Sequence, residues 1–335
     1  MKKKHSILIT GAAGFIGSNF LDIINKTDYK KIIIIDKLSY SGNIKNIKNS
    51  IQSKKILFFK RDILNKDIFK LFKKFNILHV VNFAAESHVD NSIDSPEIFF
   101  KSNVMGTLNL LNQYKKYYFI NMNNKEKKIS KFLHISTDEV YGSLKTNEKP
   151  FTENSKFKPN NPYSASKAAS DHLCRSYFKT FKLPIIITHC SNNYGPKQHN
   201  EKLIPKVIEC ILKKKPIPIY GLGKNVRDWI YVVDHCRALK LVLNKGRPGE
   251  TYDIGTNNEI SNNTLVKMIC KIMQKKIPSK LLYKKLINYV PDRKGHDFRY
   301  SINSEKIKKT LNFKTLTSFE IGLEKTISWY INNFE

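Results

Sequence analysis

Short runs rich in isoleucine, leucine and valine recur through the first half of the chain, and each is followed by a stretch whose apolar residues return every three or four positions. The runs at 6–10 (SILIT), 32–36 (IIIID), 56–60 (ILFFK), 78–83 (LHVVNF), 131–136 (KFLHIS) and 185–189 (IIITH) predict strands. Helical spacing at 15–26, 66–75, 95–117 and 162–181 fills intervals between them, with Pro96 where a first helical turn tolerates it. Alternation of this kind predicts an α/β fold: a doubly wound parallel sheet with helices on both faces.

Beyond about residue 190 the alternation loosens. Prolines at 196, 205, 216, 218, 248, 278 and 291 separate shorter segments before a last helical stretch at about 318–332. The expected organisation is a sheet domain over 1–190, completed by about 226–256, and a smaller, mixed C-terminal lobe over 191–335. No internal repeat is present, and the Lys/Asn-rich stretch 121–131 is expected to be an exposed loop.

Composition adds limits. At 335 residues, 41% hydrophobic and 11% aromatic, the chain can bury a large core. Its longest apolar stretches fall far short of the ~18 residues that span a bilayer, so no membrane partner is expected. The N-terminal segment has a basic head and an apolar body, but three glycines within seven residues suit a turn better than a signal core. Five cysteines, none closer than sixteen residues to the next, predict reduced thiols and a cytoplasmic setting, with no metal site. The net charge of +31 invites a nucleic-acid reading, but the lysines are scattered and carry no aromatic interleaving, so no nucleic-acid partner is expected. The charge favours the approach of an anionic substrate.

Within ILITGAAGFIGSNFL, Gly11, Gly14 and Gly17 follow a strand and open a helix, where bare backbone N–H groups and the helix dipole can meet a pyrophosphate. Glycine turns also close ordinary βα units, but this one stands at the first strand and points to a Rossmann-type dinucleotide site. Asp36 ends the second strand, where a carboxylate accepts ribose hydroxyls and repels a 2′-phosphate, favouring NAD over NADP; capping the next loop is its other reading. Asp62 could meet the adenine amino group or be a plain turn acid. In PYSASK, Tyr163 and Lys167 stand four apart on one helix face, a spacing at which the ammonium lowers the phenol's pKa and readies it as a base. In ISTDEVYG, Asp138 and Glu139 stand side by side; either they are a solvated strand-end pair or the protein uses them.

These elements resemble the extended short-chain dehydrogenase/reductases. DKLSYSGN (36–43), AAESHVDNSI (84–93), the Asp138/Glu139 pair, CSNNYGP (190–196), EKLIP (201–205), PIPIYG (216–221), VRDWIYVVDH (226–235) and DRKGHDFRY (292–300) narrow the resemblance to the dTDP-glucose 4,6-dehydratase family, over essentially the whole chain. That resemblance implies an NAD-dependent lyase, usually a homodimer, that makes dTDP-4-keto-6-deoxyglucose for deoxysugar biosynthesis. It assigns Tyr163 as base for the C4 hydroxyl, Lys167 as its electrostatic partner, Thr137 as a hydrogen-bond donor to O4, Glu139 as the C5 base and Asp138 as the C6 acid. It adds Phe15, Ile16, Lys37, Ile63, Ala84, Ala85 and Asn103 to the cofactor residues. Ser87, His88 and Asn192 are implied near the hexose, Lys202 and Leu203 near the nucleotide, and Pro218 and Tyr220 at the base. Arg227, Asn262, Arg293 and His296 are implied around the pyrophosphate and deoxyribose.

Each of these has a plainer reading: His88 as a packed strand-end histidine, Tyr220 as lobe core, Arg293 as a partner for Asp292. Asn91 stands where the family usually has arginine, Lys294 where proline is usual. Strict alternation would put Thr137 and Glu139 on one face and Asp138 on the other, so the chain is expected to bend by Ser136. A UDP-glucose 4,6-dehydratase would share the active site, whereas a nucleotide-sugar 4-epimerase would need Tyr163 and Lys167 but not the acid pair.

Overall fold

The computed structural model describes residues 4–334; positions 1–3 and 335 of the two expected domains lie outside the described residues. Six strands of the first half, β1 (Ser6–Thr10), β2 (Ile32–Asp36), β3 (Ile56–Lys60), β4 (Ile77–Asn82), β5 (Lys131–Ile135) and β6 (Ile185–Cys190), lie in one sheet. Three strands of the second lobe follow, β7 (Asn192–Tyr194), β8 (Ile217–Tyr220) and β9 (Val226–Tyr231), before β10 (Thr251–Ile254) returns to the main sheet beside β6. The seven-stranded order is β10-β6-β5-β4-β1-β2-β3, and every pairing is parallel. Strand order reverses between β1 and β4, where a crevice opens at the strands' carboxyl ends.

Every residue of β1, β2, β4 and β6 is buried, which is why their isoleucine and valine runs do not alternate with polar residues. One apolar core lies under helices Phe15–Ile24 and Val232–Lys245; another lies under Ile68–Phe75, Gly106–Ile120 and Pro162–Phe181. In the second lobe, helices Leu203–Leu212, Asn262–Lys276 and Phe319–Asn332 enclose a third core with small sheets. In these, β9 pairs with β11 (Glu259–Ser261) and β13 (Arg299–Tyr300), and β8 with β12 (Ile287–Val290). No helix among the described residues is long and apolar enough to cross a membrane.

Two sequence expectations are corrected. The helix expected over 95–117 is broken: Val89–Asp94 ends at Ser95, Pro96–Phe99 starts afresh, Phe100–Met105 is a π-helix and Gly106–Ile120 resumes α geometry. Ser95 sits at φ −143°, ψ 66°, as a residue before proline is driven out of the helical region. Gly106 follows because a Cβ there would meet Ile63 Cδ1 at 2.6 Å. Stretch 121–131 is not a loop throughout, since Asn124–Ile129 is helical and closed by a capping box between Asn123 and Glu126. The signal was NNKE at 123–126, hidden by the composition around it.

Candidate active site

At the end of β1 the backbone turns through Gly11 at φ +69°, where a Cβ would stand 2.6 Å from Ala84 N. A Cβ on Gly17 would stand 2.4 Å from Gly11 O, so both positions require glycine. Gly14 caps helix Phe15–Ile24 without a side-chain hydrogen bond, leaving first-turn N–H groups at the cleft. Asp36 Oδ2 accepts from Ala13 N at 2.9 Å and Oδ1 from Leu38 N at 2.8 Å. Burial raises its pKa while those two N–H groups pull it down, and each oxygen keeps a lone pair for a hydroxyl. An uncapped helix end facing a buried carboxylate suits a dinucleotide, pyrophosphate on one and ribose on the other.

Phe15, Ile16, Lys37, Asp62, Ile63, Ala84 and Ala85 line the same cleft, about 270 Å³ in volume. Lys37 Nζ is 2.7 Å from Glu86 Oε1, 3.2 Å from Ser102 Oγ and 3.9 Å from Asp62 Oδ2. Asn103, expected among the cofactor residues, is buried beside Ser102 of the lining. Its Nδ2 donates to Glu86 O at 3.1 Å and Ser166 Oγ at 2.8 Å, and its Oδ1 accepts from Glu86 N at 2.8 Å. These bonds clamp the 84–88 loop to helix Pro162–Phe181.

β5 stops at Ile135, and Asp138–Tyr141 forms a 3-10 turn capped by the Thr137 hydroxyl, which accepts from Glu139 N at 3.3 Å. Gly142, at φ +91°, closes the turn. Strand alternation therefore ends before the acids, and Thr137, Asp138 and Glu139 all line the cleft. Asp138 is 2% exposed; its Oδ1 accepts from Thr137 Oγ1 at 3.4 Å and its Oδ2 has no hydrogen-bond partner among the described residues. Burial and then the Glu139 charge hold the Asp138 pKa well above the carboxylate range. Burial raises Glu139 too, but the Lys202 and Arg227 cations oppose it. Two adjacent carboxyls thus sit in unlike fields, one favoured as acid and the other as base.

Helix Pro162–Phe181 starts with Pro162 and a capping box between Asn161 and Ser164, a start that fixes Tyr163 in the first turn, its N–H donating to Ser92 Oγ at 3.1 Å. Lys167 Nζ donates to Ile135 O at 2.8 Å. The expected lowering of the Tyr163 pKa is corrected: burial, then Glu139 and Cys190, raise it well above the usual phenol value, and a Thr137 hydrogen bond only partly opposes this. In this cleft the lysine's charge does not outweigh the lost hydration.

Ser87, Asn192 and Lys202 line the cleft, Lys202 Nζ donating to Ser87 O at 2.9 Å. The other expected sugar-nucleotide residues stand outside that lining. His88 Nδ1 accepts from Asn91 N at 3.4 Å, and its Nε2 is 3.7 Å from Asp90 Oδ2. Arg293 Nε is 3.4 Å from Asp90 Oδ1, with the guanidinium 4.7 Å over Tyr220. His296 Nδ1 is 2.6 Å from Asp292 Oδ1. Arg227, expected to present its fork to a pyrophosphate, instead donates to the carbonyls of Val226, Phe298 and Asp297 and stacks 4.2 Å over Tyr300. Pro218 lies in β8 opposite Asn288, and Leu203 and Asn262 are the first residues of their helices.

Sequence reasoning missed Arg61, Cys190, Gln198, His199 and Glu201, all of which line the cleft. Arg61 precedes Asp62 and Glu201 precedes Lys202, so adjacency to chosen residues was the available signal.

A family model described as GDP-mannose 4,6 dehydratase matches residues 8–326. A dTDP-glucose 4,6-dehydratase of Salmonella typhimurium (strain LT2) is 45% identical over 98% of this chain and 93% of its own length. The crystal structure of dTDP-glucose 4,6-dehydratase from Bacillus anthracis in complex with NAD superposes with TM-score 0.85 at 44% identity, covering 98% of this chain and 97% of that one. A dTDP-glucose 4,6-dehydratase from Streptomyces venezuelae with NAD and TYD bound gives TM-score 0.88 at 38% identity with the same coverage.

Proposed function

The chain belongs to the dTDP-glucose 4,6-dehydratase family, and on that premise we propose how its residues carry the activity. It converts dTDP-glucose to dTDP-4-keto-6-deoxyglucose and water. NAD, when bound, supplies a cationic ring that favours the tyrosinate, takes the hydride from C4 and returns it to C6. The observation that carries the reading is the turn Thr137–Asp138–Glu139, with burial holding the Asp138 pKa well up and cations opposing the rise at Glu139, beside Tyr163 in one cleft.

Tyr163 takes the C4 hydroxyl proton while Thr137 holds O4, and Lys167 keeps a positive charge near the phenolate. The C4 ketone acidifies the C5 hydrogen, which ionised Glu139 removes. Protonated Asp138 then donates to the C6 hydroxyl as it leaves as water. Gly11, Gly14, Gly17 and Asp36 hold the cofactor; Lys202, Arg227 and Arg293 supply positive charge for the diphosphate. The first domain binds the cofactor and the second lobe the nucleotide. The working form is a homodimer in the cytoplasm. Apolar Ile98, Phe100 and Met105, all exposed on the broken helix, support such a contact, and five buried, unpaired cysteines suit a reducing setting.

The test is incubation of the purified protein with dTDP-glucose and, separately, UDP-glucose, followed by mass spectrometry. Loss of one water from dTDP-glucose is expected at a higher rate than from UDP-glucose. Faster turnover of UDP-glucose would reassign the substrate, and C4 inversion without water loss would make the protein an epimerase.

A further inference from the structure

Behind the reactive turn lies a set of ionisable side chains that take no part in the proton and hydride transfers. His189, in β6, has a carboxylate at each ring nitrogen: Nε2 is 3.1 Å from Asp171 Oδ2 and Nδ1 is 3.0 Å from Asp253 Oδ1. The Tyr141 hydroxyl is also 2.8 Å from Nδ1, and a carboxylate on each side of the ring favours its protonated form. Burial opposes that charge, but Asp171 and Asp253 outweigh it and hold the pKa up at about 9. Asp253 Oδ1 also accepts from the Tyr141 hydroxyl at 2.9 Å, and Asp171 Oδ2 from Ser136 Oγ at 2.8 Å. His189, Asp171, Asp253 and Tyr141 are each at most 2% exposed.

The two outer contacts are informative. Ser136 immediately precedes Thr137, and Tyr141 is the last residue of the 3-10 turn, two after Glu139. The array therefore grips the reactive segment at both ends, from β6, β10 and helix Pro162–Phe181, the helix that bears Tyr163 and Lys167. A bridge needed only to tie β6 to β10 would be complete with His189 and Asp253. The Tyr141 ring is already fixed by Phe151, stacked at 5.2 Å, and by Phe157, edge-on at 5.4 Å. Its hydroxyl adds no packing, only a directional tie.

We propose that Tyr141 and Ser136, anchored by the Asp253–His189–Asp171 array, are positioning residues for the elimination, fixing the turn so that Glu139 reaches C5 while Asp138 reaches the C6 hydroxyl. This rests on the dehydratase reading and deepens it. The oxidation shares only Thr137 with the gripped segment, whereas the elimination needs both carboxyls of the turn, so loss of the tie slows the elimination more than the oxidation.

The experiment uses the full chain with NAD and dTDP-glucose deuterated at C5, comparing the unchanged protein with Tyr141→Phe and Ser136→Ala. It reads reduced nicotinamide by absorbance, deuterium release by mass spectrometry, and thermal midpoint. In Tyr141→Phe, deuterium release should slow by about 10- to 100-fold, the scale of a small misplacement of reacting groups, while formation of reduced nicotinamide slows far less. Ser136→Ala should show the same split at a smaller amplitude, and it decides the matter if Tyr141→Phe does not fold. Normal deuterium release in both variants, or equal loss of both steps in step with a lowered midpoint, overturns the proposal. Failure of the unchanged protein to release deuterium or water would instead refute the dehydratase reading.

Discussion

The two ends of the cleft are built differently. At the cofactor end, backbone does the shaping: Gly11 and Gly17 sit where no Cβ fits, and the Asp36 carboxylate is held by two main-chain N–H groups. At the sugar-nucleotide end, side chains hold one another. Arg293 leans on Asp90 and Tyr220, His296 on Asp292, and Arg227 on three carbonyls. The first end is ready for its ligand, whereas the second must exchange internal partners for those of the substrate, a cost that only a ligand offering better partners offsets. Such an exchange gives selectivity at the nucleotide without loosening the grip on the cofactor.

The largest effect should come where the ends meet. Tyr163→Phe should lower kcat by about 10²- to 10⁴-fold and suppress formation of reduced nicotinamide, whereas Glu139→Gln should lower it comparably yet let reduced nicotinamide accumulate. Stopped-flow absorbance separates them; Glu139→Gln turning over at the native rate would remove it as the C5 base. Next, Gly11→Ala tests the backbone-built end. Strain at φ +69° and the close Ala84 backbone should cost on the order of 1–3 kcal/mol and weaken NAD by about tenfold or more, read by calorimetry and thermal melts.

Arg293→Ala tests the opposite end and should raise KM for dTDP-glucose by roughly tenfold, with kcat and NAD affinity nearly unchanged, because an arginine already shared with Asp90 contributes only part of its strength. A tighter NAD isotherm or a collapse of kcat would break the division between the ends. Lys202→Met sharpens the electrostatic side. The Lys202 cation lowers the Glu139 pKa, so its removal raises that pKa. Glu139 acts ionised, so the acid limb of the kcat profile should move to higher pH; a limb that stays put or moves down would contradict the assignment. Asn91→Arg should do least, within about twofold in kcat, since residue 91 is exposed and its contact to His88 is through its main-chain N–H.

The features legible in advance were local ones. The strands could be read because burial on both faces leaves uninterrupted apolar runs, and the bend before the acids because alternation could not otherwise bring three consecutive side chains into one cleft. Helix 95–117 misled because periodicity survives a proline restart and a π turn that change its geometry. The Tyr163 pKa misled because a four-residue spacing shows the lysine but not the burial that governs in the fold, nor the Glu139 charge that adds to it. The tie from Tyr141 to Asp253 spans 112 positions, and no local pattern announces it; only Asp171, four residues after Lys167 on the same helix face, was within reach.

The π-helical segment Phe100–Met105 carries a consequence for chain length. A π turn holds one more residue than the α turn it interrupts, and removing any one residue there would restore regular pitch and rotate the N-terminal part of the helix by about 100° against the C-terminal part. Asn103 would then swing away from Glu86 and Ser166, freeing the loop that carries Ser87. This stretch can change its side chains far more easily than its residue count, so single-residue deletions here should be absent among working variants even where the sequence itself drifts.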